Sequence, residues 1–453
     1  MLTRRQIGST GMGMATAGMA GALAACGPGG ASGSRGGSAG TGATVAKAPA
    51  KVTWLAWAGA GPETEQYQLN ASEFTKQQPH ITVDWVNGAN VDGNLEKFLT
   101  MSAAGTPPNV VQVHYSNCVD LASRGTLAAL DSMMARDRVR KEDFVPGLPS
   151  EFAWKQAQYG LPKDNALRVM FYNLDLFDKA GVTYPADTWT WDDFLETAKK
   201  LTDRTPASGT PTFGAADFFL SINDSPSYSI TRAFGGEWFN NAWTASTIDS
   251  AATVDAIQFT ADWRNRHKVS PAPGEVQGGG DTFRRGHVAM GISFAQQVFF
   301  LKQEEVSFGY DVVPLPRGKA GAFPCATGSG QALAKSAPNP EAGWQFLKYL
   351  VGPDAQQRIT SLKRWGSSRV DTLEAILPTD GVPRSFKSAF IEPLQGKGKD
   401  KVVAIPTPPR AKDLEAVYDK EFEAVRSGQK TAKEAATATK PLLDEIMRTA
   451  GGR

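Results

Sequence analysis

The 453-residue chain has only three cysteines, four histidines and almost no surplus of either charge. Each shortage excludes something. No CxxC pair occurs, which disfavours thioredoxin-type redox chemistry and cysteine-ligated metal. His80, His114, His267 and His287 lack metal-site spacing, so no metal is expected. The formal net charge is +2, and Arg4 and Arg5 account for it. The balanced remainder carries no electrostatic footprint for nucleic acid. No apolar run is long enough for a bilayer core of about 30 Å. No HExxH, no P-loop and no GxGxxG after a strand is present, so neither a catalytic centre nor a cofactor is expected. Carboxylates are plentiful, however. A glycosidase pair is defined by a separation of roughly 5–9 Å in space, which a sequence does not display. A secreted carbohydrate-active enzyme therefore stands as the alternative of a different class. No internal repeat marks a structural adhesin.

What is present begins at the N-terminus. Arg4-Arg5 is followed by a mildly apolar stretch, Ile7–Leu23, and then by Leu23-Ala24-Ala25-Cys26, with no acid before the cysteine. A basic start, an apolar middle and small residues at the cut make a secretory signal. A cysteine directly after them is the position at which a lipoprotein is acylated. Residues 1–25 are expected to be removed, leaving Cys26 as a lipidated, palmitate-bearing N-terminus. Thr3-Arg4-Arg5-Gln6-Ile7 is similar to the twin-arginine motif, and the Gly-rich middle suits that route; general secretion is the alternative. The stretch is too short and too Gly-rich to span a membrane, so the mature protein is expected to be anchored outside the cytoplasm. Residues 26–50 continue as a Gly/Ser/Ala/Thr-rich flexible linker without aromatics. Outside the cytoplasm, Cys118 and Cys325 either pair or remain free.

About 400 residues remain, enough for two or three domains of about 100–200 residues. Lys51–Trp57 reads as a buried strand, a helix follows through Phe74, and Ile81–Val86 alternates as a second strand. Leu95–Ala103 reads as a helix, Val110–Val113 as a third strand, and Cys118–Ala122 as the start of another helix. Strand and helix in alternation predict an α/β fold with a parallel sheet. Leu167–Tyr172 is β-like. Thr190 with Asp193, and Thr431 with Glu434, have capping-box spacing. Asn339-Pro340 reads as an N-cap followed by a first-turn proline.

Several segments carry a resemblance when taken in order. They include Ala103-Ala104-Gly105-Thr106-Pro107-Pro108-Asn109, Leu121-Ala122-Ser123-Arg124-Gly125-Thr126-Leu127 and Tyr159-Gly160-Leu161-Pro162. Phe171-Tyr172-Asn173-Leu174-Asp175, Thr188-Trp189-Thr190-Trp191 and Phe283-Arg284-Arg285-Gly286-His287-Val288-Ala289-Met290 follow, and then Pro340-Glu341-Ala342-Gly343-Trp344. In this order they resemble the extracellular solute-binding proteins of ABC importers, in the sugar-binding family related to maltose-binding protein. The resemblance implies a two-lobed periplasmic-binding-protein-like fold with three interlobe crossings. It places lobe one at 51–163 plus 321–363 and lobe two at 164–320 plus 364–453. Crossings are expected near Pro162–Arg168, Pro314–Cys325 and Arg364–Asp371. It implies a carbohydrate ligand, or another polar solute such as a glycerophosphodiester, delivered by a monomer to ABC permease subunits.

Ligands of open α/β sheets sit beyond the carboxyl ends of strands. That rule nominates Trp57 and Glu63 after the first strand, and His114, Tyr115 and Ser116 after the third. Lys163, Asp164 and Asn165 follow Pro162; Phe294 and Gln296 end a later strand; Thr327, Gly328 and Ser329 follow the second crossing. Trp365 and Arg369 lie at the last. A sugar needs carboxylates, amides and Arg for its hydroxyls and aromatic rings for its C–H faces, and this set supplies both. Trp238 follows Gly235-Gly236 and reads as a cleft-edge residue, and family position adds Asn223 and Tyr228. Several have a plainer reading. Trp57 alternates with Leu55 and suits a core equally well, Glu63 suits an early helix turn beside the helix dipole, and Trp365, between Arg364 and Gly366, has a poor core setting.

Overall fold

Strand β1 (Ala50–Ala56) buries Val52, Trp54, Leu55 and Ala56, so both of its faces are covered. That explains its nearly unbroken apolar reading. The structure is a computed structural model that describes residues 48–451, apart from 60, 207–208, 277–281, 304–305, 362–364, 378–380, 398–399 and 401. The expected signal peptide, Cys26 and the linker as far as residue 47 lie outside the described residues.

Apart from a short hairpin of Ala153–Trp154 with Ala157–Gln158, the other strands in chain order are β2 (Ile81–Asn87), β3 (Val110–His114), β4 (Gly160–Pro162), β5 (Asp164–Asn173) and β6 (Phe213–Ala215). Then come β7 (Val288–Phe294), β8 (Tyr310–Val313), β9 (Ala326–Thr327), β10 (Ser329–Leu333) and β11 (Gly366–Ser367). The first sheet has the order β2-β1-β3-β10-β4; β1 runs parallel to β2 and β3, and β10 runs antiparallel between β3 and β4. The second has the order β8-β5-β7-β6, with β5 antiparallel to both neighbours. These two sheets are the centres of two α/β lobes.

Helix α1 (Pro62–Gln77) leads from β1 to β2, α2 (Val91–Ala103) from β2 to β3, and α3 (Tyr115–Ser123) leaves β3. Helix α4 (Trp191–Leu201) carries the expected box: Thr190 accepts from the Asp193 N–H, and Asp193 accepts from the Thr190 N–H. A cap of this kind contributes about 1 kcal/mol. Trp191, Phe194, Ala198 and Leu201 form its buried face. Helix α5 (Ser225–Ala233) is capped by Asp224, and α6 (Ala251–Asn265) by Ser250. Helix α7 (Pro340–Leu350) packs on β10 and β1, and α8 (Pro353–Ser361) follows it. Helices α9 (Ala411–Arg426) and α10 (Ala432–Ala450) pack on each other and on α6, and α10 has the Thr431–Glu434 box.

Two local expectations change, and one left open is decided. Helix α3 begins at Tyr115, three residues before Cys118, because the extended His114 is already its N-cap. Asn339 stands at the N-cap of α7 but makes no side-chain cap, since its backbone is left-handed with φ 50°. Cys118 and Cys325 are buried and free.

The three crossings converge on one strand. The chain leaves the first sheet at Lys163, the single residue between β4 and β5. It returns between Val313 and Ser329, and on the way β9 pairs with Leu167 and Ala166 of β5. The third passage runs through Trp365 into β11, which pairs with Asn165 and Asp164; Arg364 lies outside the described residues. The first four residues of β5 are thus the meeting point of all three passages. Among the described residues, no helix is long and apolar enough to cross a membrane.

Candidate ligand site

The carboxyl ends of β1 and β3 point to one edge of the first sheet, and the antiparallel β10 begins there. A cavity of about 260 Å³ lies at this edge against the start of β5. Trp57, Glu63, Val91, Gln112, His114 and Tyr115 line it from the first sheet and its helices. Lys163, Asp164, Ala166, Arg168, Thr327, Gly328, Ser329 and Trp365 line it from the crossings, and Asp224, Ser225 and Phe294 from the second lobe.

On the crossing side the polar groups are spent on one another. Asp164 accepts from the Ser329 N–H at 2.6 Å, from Ser329 Oγ at 2.6 Å and from Lys163 Nζ at 3.2 Å. Ser329 Oγ accepts from Gln112 Nε2 at 3.0 Å, and Gln112 Oε1 accepts from the Tyr67 hydroxyl at 3.0 Å. All five side chains are buried. Burial works to lower the Lys163 pKa, but Tyr67, Asp164 and Glu63 together hold it above the ordinary lysine value. Burial pushes the Tyr67 phenol up to about 12, against the pull of Lys163. Gln356 extends the network by donating to the Lys163 carbonyl and accepting from Ser367 and Ser368, which ties the first passage to the third. Gly328 is required here, because a Cβ would lie 2.3 Å from the Asp164 carbonyl oxygen.

The opposite walls differ. Trp57 and Trp365 are half-buried and face the cavity. The Glu63 carboxylate accepts from the Gly59 N–H at 2.8 Å through one oxygen. Arg168 stacks on Phe294 with its guanidinium carbon 3.4 Å from the ring centroid, and its buried Nε has no partner. Burial lowers the Arg168 pKa, opposed by Asp224 and Tyr115. Burial raises the Asp224 carboxyl, opposed by Arg168 and by its bonds to Ser227. His114 is held at about 4 by burial, with Asp164 opposing, so its ring is neutral near pH 7.

Of the twelve ligand-binding candidates, seven come together here: Trp57, Glu63, Tyr115, Asp164, Phe294, Ser329 and Trp365. Five do not line the cavity. Ser116 bonds His114 Nδ1 at 2.8 Å and supports the ring from behind. Asn165 is fully buried against the Ser367 carbonyl. Asn223 has φ 66°, donates to Glu415 and accepts the Tyr115 hydroxyl through its carbonyl. Trp238 is core: it is 2% exposed, packs on Tyr228 and donates to Thr231. Tyr228 itself is buried and bonds Glu237. Arg369 pairs with Asp371 and lies over Phe144, away from the cavity.

Val91, Gln112, Arg168, Asp224 and Ser225 were not singled out as ligand residues. Period-two alternation along β5 from Ala166 points to Arg168, and Asp224 is legible as an N-cap before Ser225-Pro226. Gln112 is interior to a strand, and no local signal marks it.

Residues 60–357 match the model of the bacterial extracellular solute-binding protein family. The chain belongs to this family. An uncharacterized lipoprotein from the oleD 5' region of Streptomyces antibioticus is 24% identical over 298 residues, 63% of each chain, so the match spans less than two thirds of that relative. The arabinooligosaccharide-binding protein of Bacillus subtilis (strain 168) is 25% identical over 312 residues, 66% of this chain and 69% of that one. Among solved structures, the ABC substrate-binding protein of Listeria monocytogenes in complex with cycloalternan superposes with a TM-score of 0.73. It is 24% identical, and the superposition covers 88% of this chain and 99% of that one. This likeness is one of fold. The family is one of extracellular solute-binding proteins.

Proposed function

We propose that this protein is a lipid-anchored extracytoplasmic binding protein that captures a sugar or short oligosaccharide between its lobes and delivers it to an ABC permease. The observation that carries the reading is the cavity itself. Two tryptophans, Trp57 and Trp365, line one cavity with Glu63, Asp224, Arg168 and a neutral His114. Aromatic faces suit sugar C–H surfaces, and the polar set suits hydroxyls that both donate and accept. Relatives named for an arabinooligosaccharide and a structure holding cycloalternan support the same ligand class.

The lobes are assigned as 51–163 plus 321–363 and 164–320 plus 364–453, hinged where the passages meet on β5. Closure brings the Tyr115 hydroxyl to the Asn223 carbonyl and Lys412 to Asp92 across the cleft. Cys26 carries the lipid. A linker of about 24 residues reaches roughly 25–30 Å, enough to keep the binding unit near a permease in the same membrane. A relative named as a lipoprotein supports the anchor.

The test is isothermal titration against glucose, galactose, mannose, arabinose, maltose, lactose, maltotriose, mannotriose, arabinotriose, glucuronate and sn-glycerol 3-phosphate. A neutral sugar is expected to bind at one per chain without turnover. If no carbohydrate binds, the sugar reading fails; if product is released from an oligosaccharide, the enzyme alternative holds. Cys26→Ala is expected to free the protein from the membrane fraction and leave affinity unchanged.

A further inference from the structure

We infer that Arg168 is the specificity-determining residue of the cavity and that Phe294 is its positioning residue, not a face for the sugar. The inference rests on the sugar-binding reading above. It begins with register. Arg168 of β5 and Phe294 of β7 are directly opposed in an antiparallel pair, so their side chains rise together from one face of the second sheet. The guanidinium lies flat on the ring, 3.4 Å from carbon to centroid. The ring in turn meets Trp365 edge-on, with centroids 6.0 Å apart and planes at 80°. The Phe294 face turned towards Arg168 is therefore covered, and no sugar can stack on it.

What Phe294 holds is a planar cation with donors to spare. The Arg168 Nε is buried without a partner, and no ion pair or hydrogen bond engages its side chain among the described residues. A buried donor of this kind costs stability unless something bonds it. That nitrogen has no surface open to the cavity, but Arg168 lines the cavity with the rest of its guanidinium, whose terminal nitrogens bond no protein group among the described residues; these are the donors a ligand can meet.

The chemistry of that group follows from the neighbours. Glu63, Asp164 and Asp224 put three carboxylates around the cavity, against Lys163 and Arg168. Lys163 is already engaged by Asp164. An anionic substituent on the ligand would meet that acidic surplus. A pair of adjacent hydroxyls meets no such penalty: their oxygens accept from the Arg168 fork, and a hydroxyl hydrogen is donated to Asp224. The geometry assigns a neutral sugar with a vicinal diol at this end of the cavity, in preference to a uronate or a sugar phosphate.

A double-mutant cycle tests this, with the tightest-binding neutral sugar of the panel as probe and Arg168→Lys as the second background. Lysine keeps the charge and loses both the planar stack and the fork. Arg168→Lys is expected to weaken binding about 10–100-fold, the range for hydrogen bonds to a charged group. Phe294→Ala is expected to weaken the parent about tenfold by releasing the stack, and the Arg168→Lys variant by no more than about twofold. Equal losses in both backgrounds would show that Phe294 touches the sugar itself and would overturn the assignment. A second readout holds even where a variant binds too weakly to titrate. In the parent, the Arg168 Nε–H resonance, assigned by its absence from Arg168→Lys, is expected to shift on adding the sugar. An unmoved resonance with sugar bound sinks the role of Arg168. Tighter binding of glucuronate than of every neutral sugar overturns the ligand class while leaving the binding-protein reading intact. Failure of the whole panel strikes that reading first.

Discussion

The crossing side of the cavity and its open walls use similar residues in opposite ways. Asp164, Ser329, Gln112, Lys163 and Tyr67 are buried and bonded to one another, so the carboxylate of Asp164 has little left for a ligand. Arg168 is half-buried and lines the same space, and among the described residues no hydrogen bond or ion pair engages its guanidinium. A satisfied buried network rigidifies and specifies one arrangement, whereas an unsatisfied group stores a cost that binding can relieve. Lining a cavity is therefore not the same as binding in it. Asp164 and Ser329 tie the crossings to each other, and under the proposed function Trp57, Trp365, Glu63, Arg168 and Asp224 are the groups left for a ligand.

That contrast breaks first if its structural half is wrong. Asp164→Ala leaves Lys163 buried without its carboxylate and strips two acceptors from Ser329. It is expected to cost about 3–5 kcal/mol of unfolding free energy, measured by urea denaturation. Arg168→Ala, by contrast, is expected to cost no more than about 1–2 kcal/mol, since it loses the stack on Phe294 but no hydrogen bond or ion pair to the protein. Equal destabilisation by the two would erase the distinction between hinge and wall.

The next effect is one of pH. The imidazole of His114 is held at about 4 in the folded chain, below the ordinary value of about 6.5. Below pH 6.5 the unfolded chain takes up a proton that the native state refuses until about pH 4. Stability should thus be full above pH 6.5 and fall by roughly 1–3 kcal/mol on acidification to pH 4. His114→Gln is expected to flatten that part of the pH profile in thermal unfolding; an unchanged slope would place the loss elsewhere.

On the ligand side, Trp365→Ala is expected to weaken sugar binding about 30-fold, as for a central aromatic contact, with an unfolding midpoint close to that of the parent. A fall in stability without a fall in affinity would return Trp365 to the core. Smallest is Lys412→Ala. Lys412 and Asp92 are largely exposed, and such pairs contribute about 0–1 kcal/mol. The variant is expected to lower affinity by less than about threefold, an effect that vanishes in 1 M salt.

Much of this fold was legible in the chain. Local signals marked the capping boxes at Thr190 and Thr431 and the buried strand at Lys51–Trp57, because each is set by neighbouring residues, whereas the crossing near Pro162 was implied by the resemblance alone. The lining of the candidate site was legible where it follows strands or a crossing, as with Trp57, Glu63, Tyr115 and Trp365. It was not legible where long-range pairing decides. Trp238 follows Gly235-Gly236 and reads as an edge residue, yet it is buried against Tyr228 and Thr231. Asn165 neighbours Asp164 in sequence, but its side chain turns to the Ser367 carbonyl of a strand some two hundred residues away. Arg168 and Phe294 became a unit only through the β5–β7 register.

One measurement reaches the central claim most directly: calorimetric titration of the neutral sugars into the parent protein and into a Trp57→Ala/Trp365→Ala double variant. The account predicts one sugar per parent chain and a loss of at least about 100-fold in the double variant, with its unfolding midpoint retained. Undiminished binding in the double variant would contradict it, because the sugar would then be held somewhere other than this cavity.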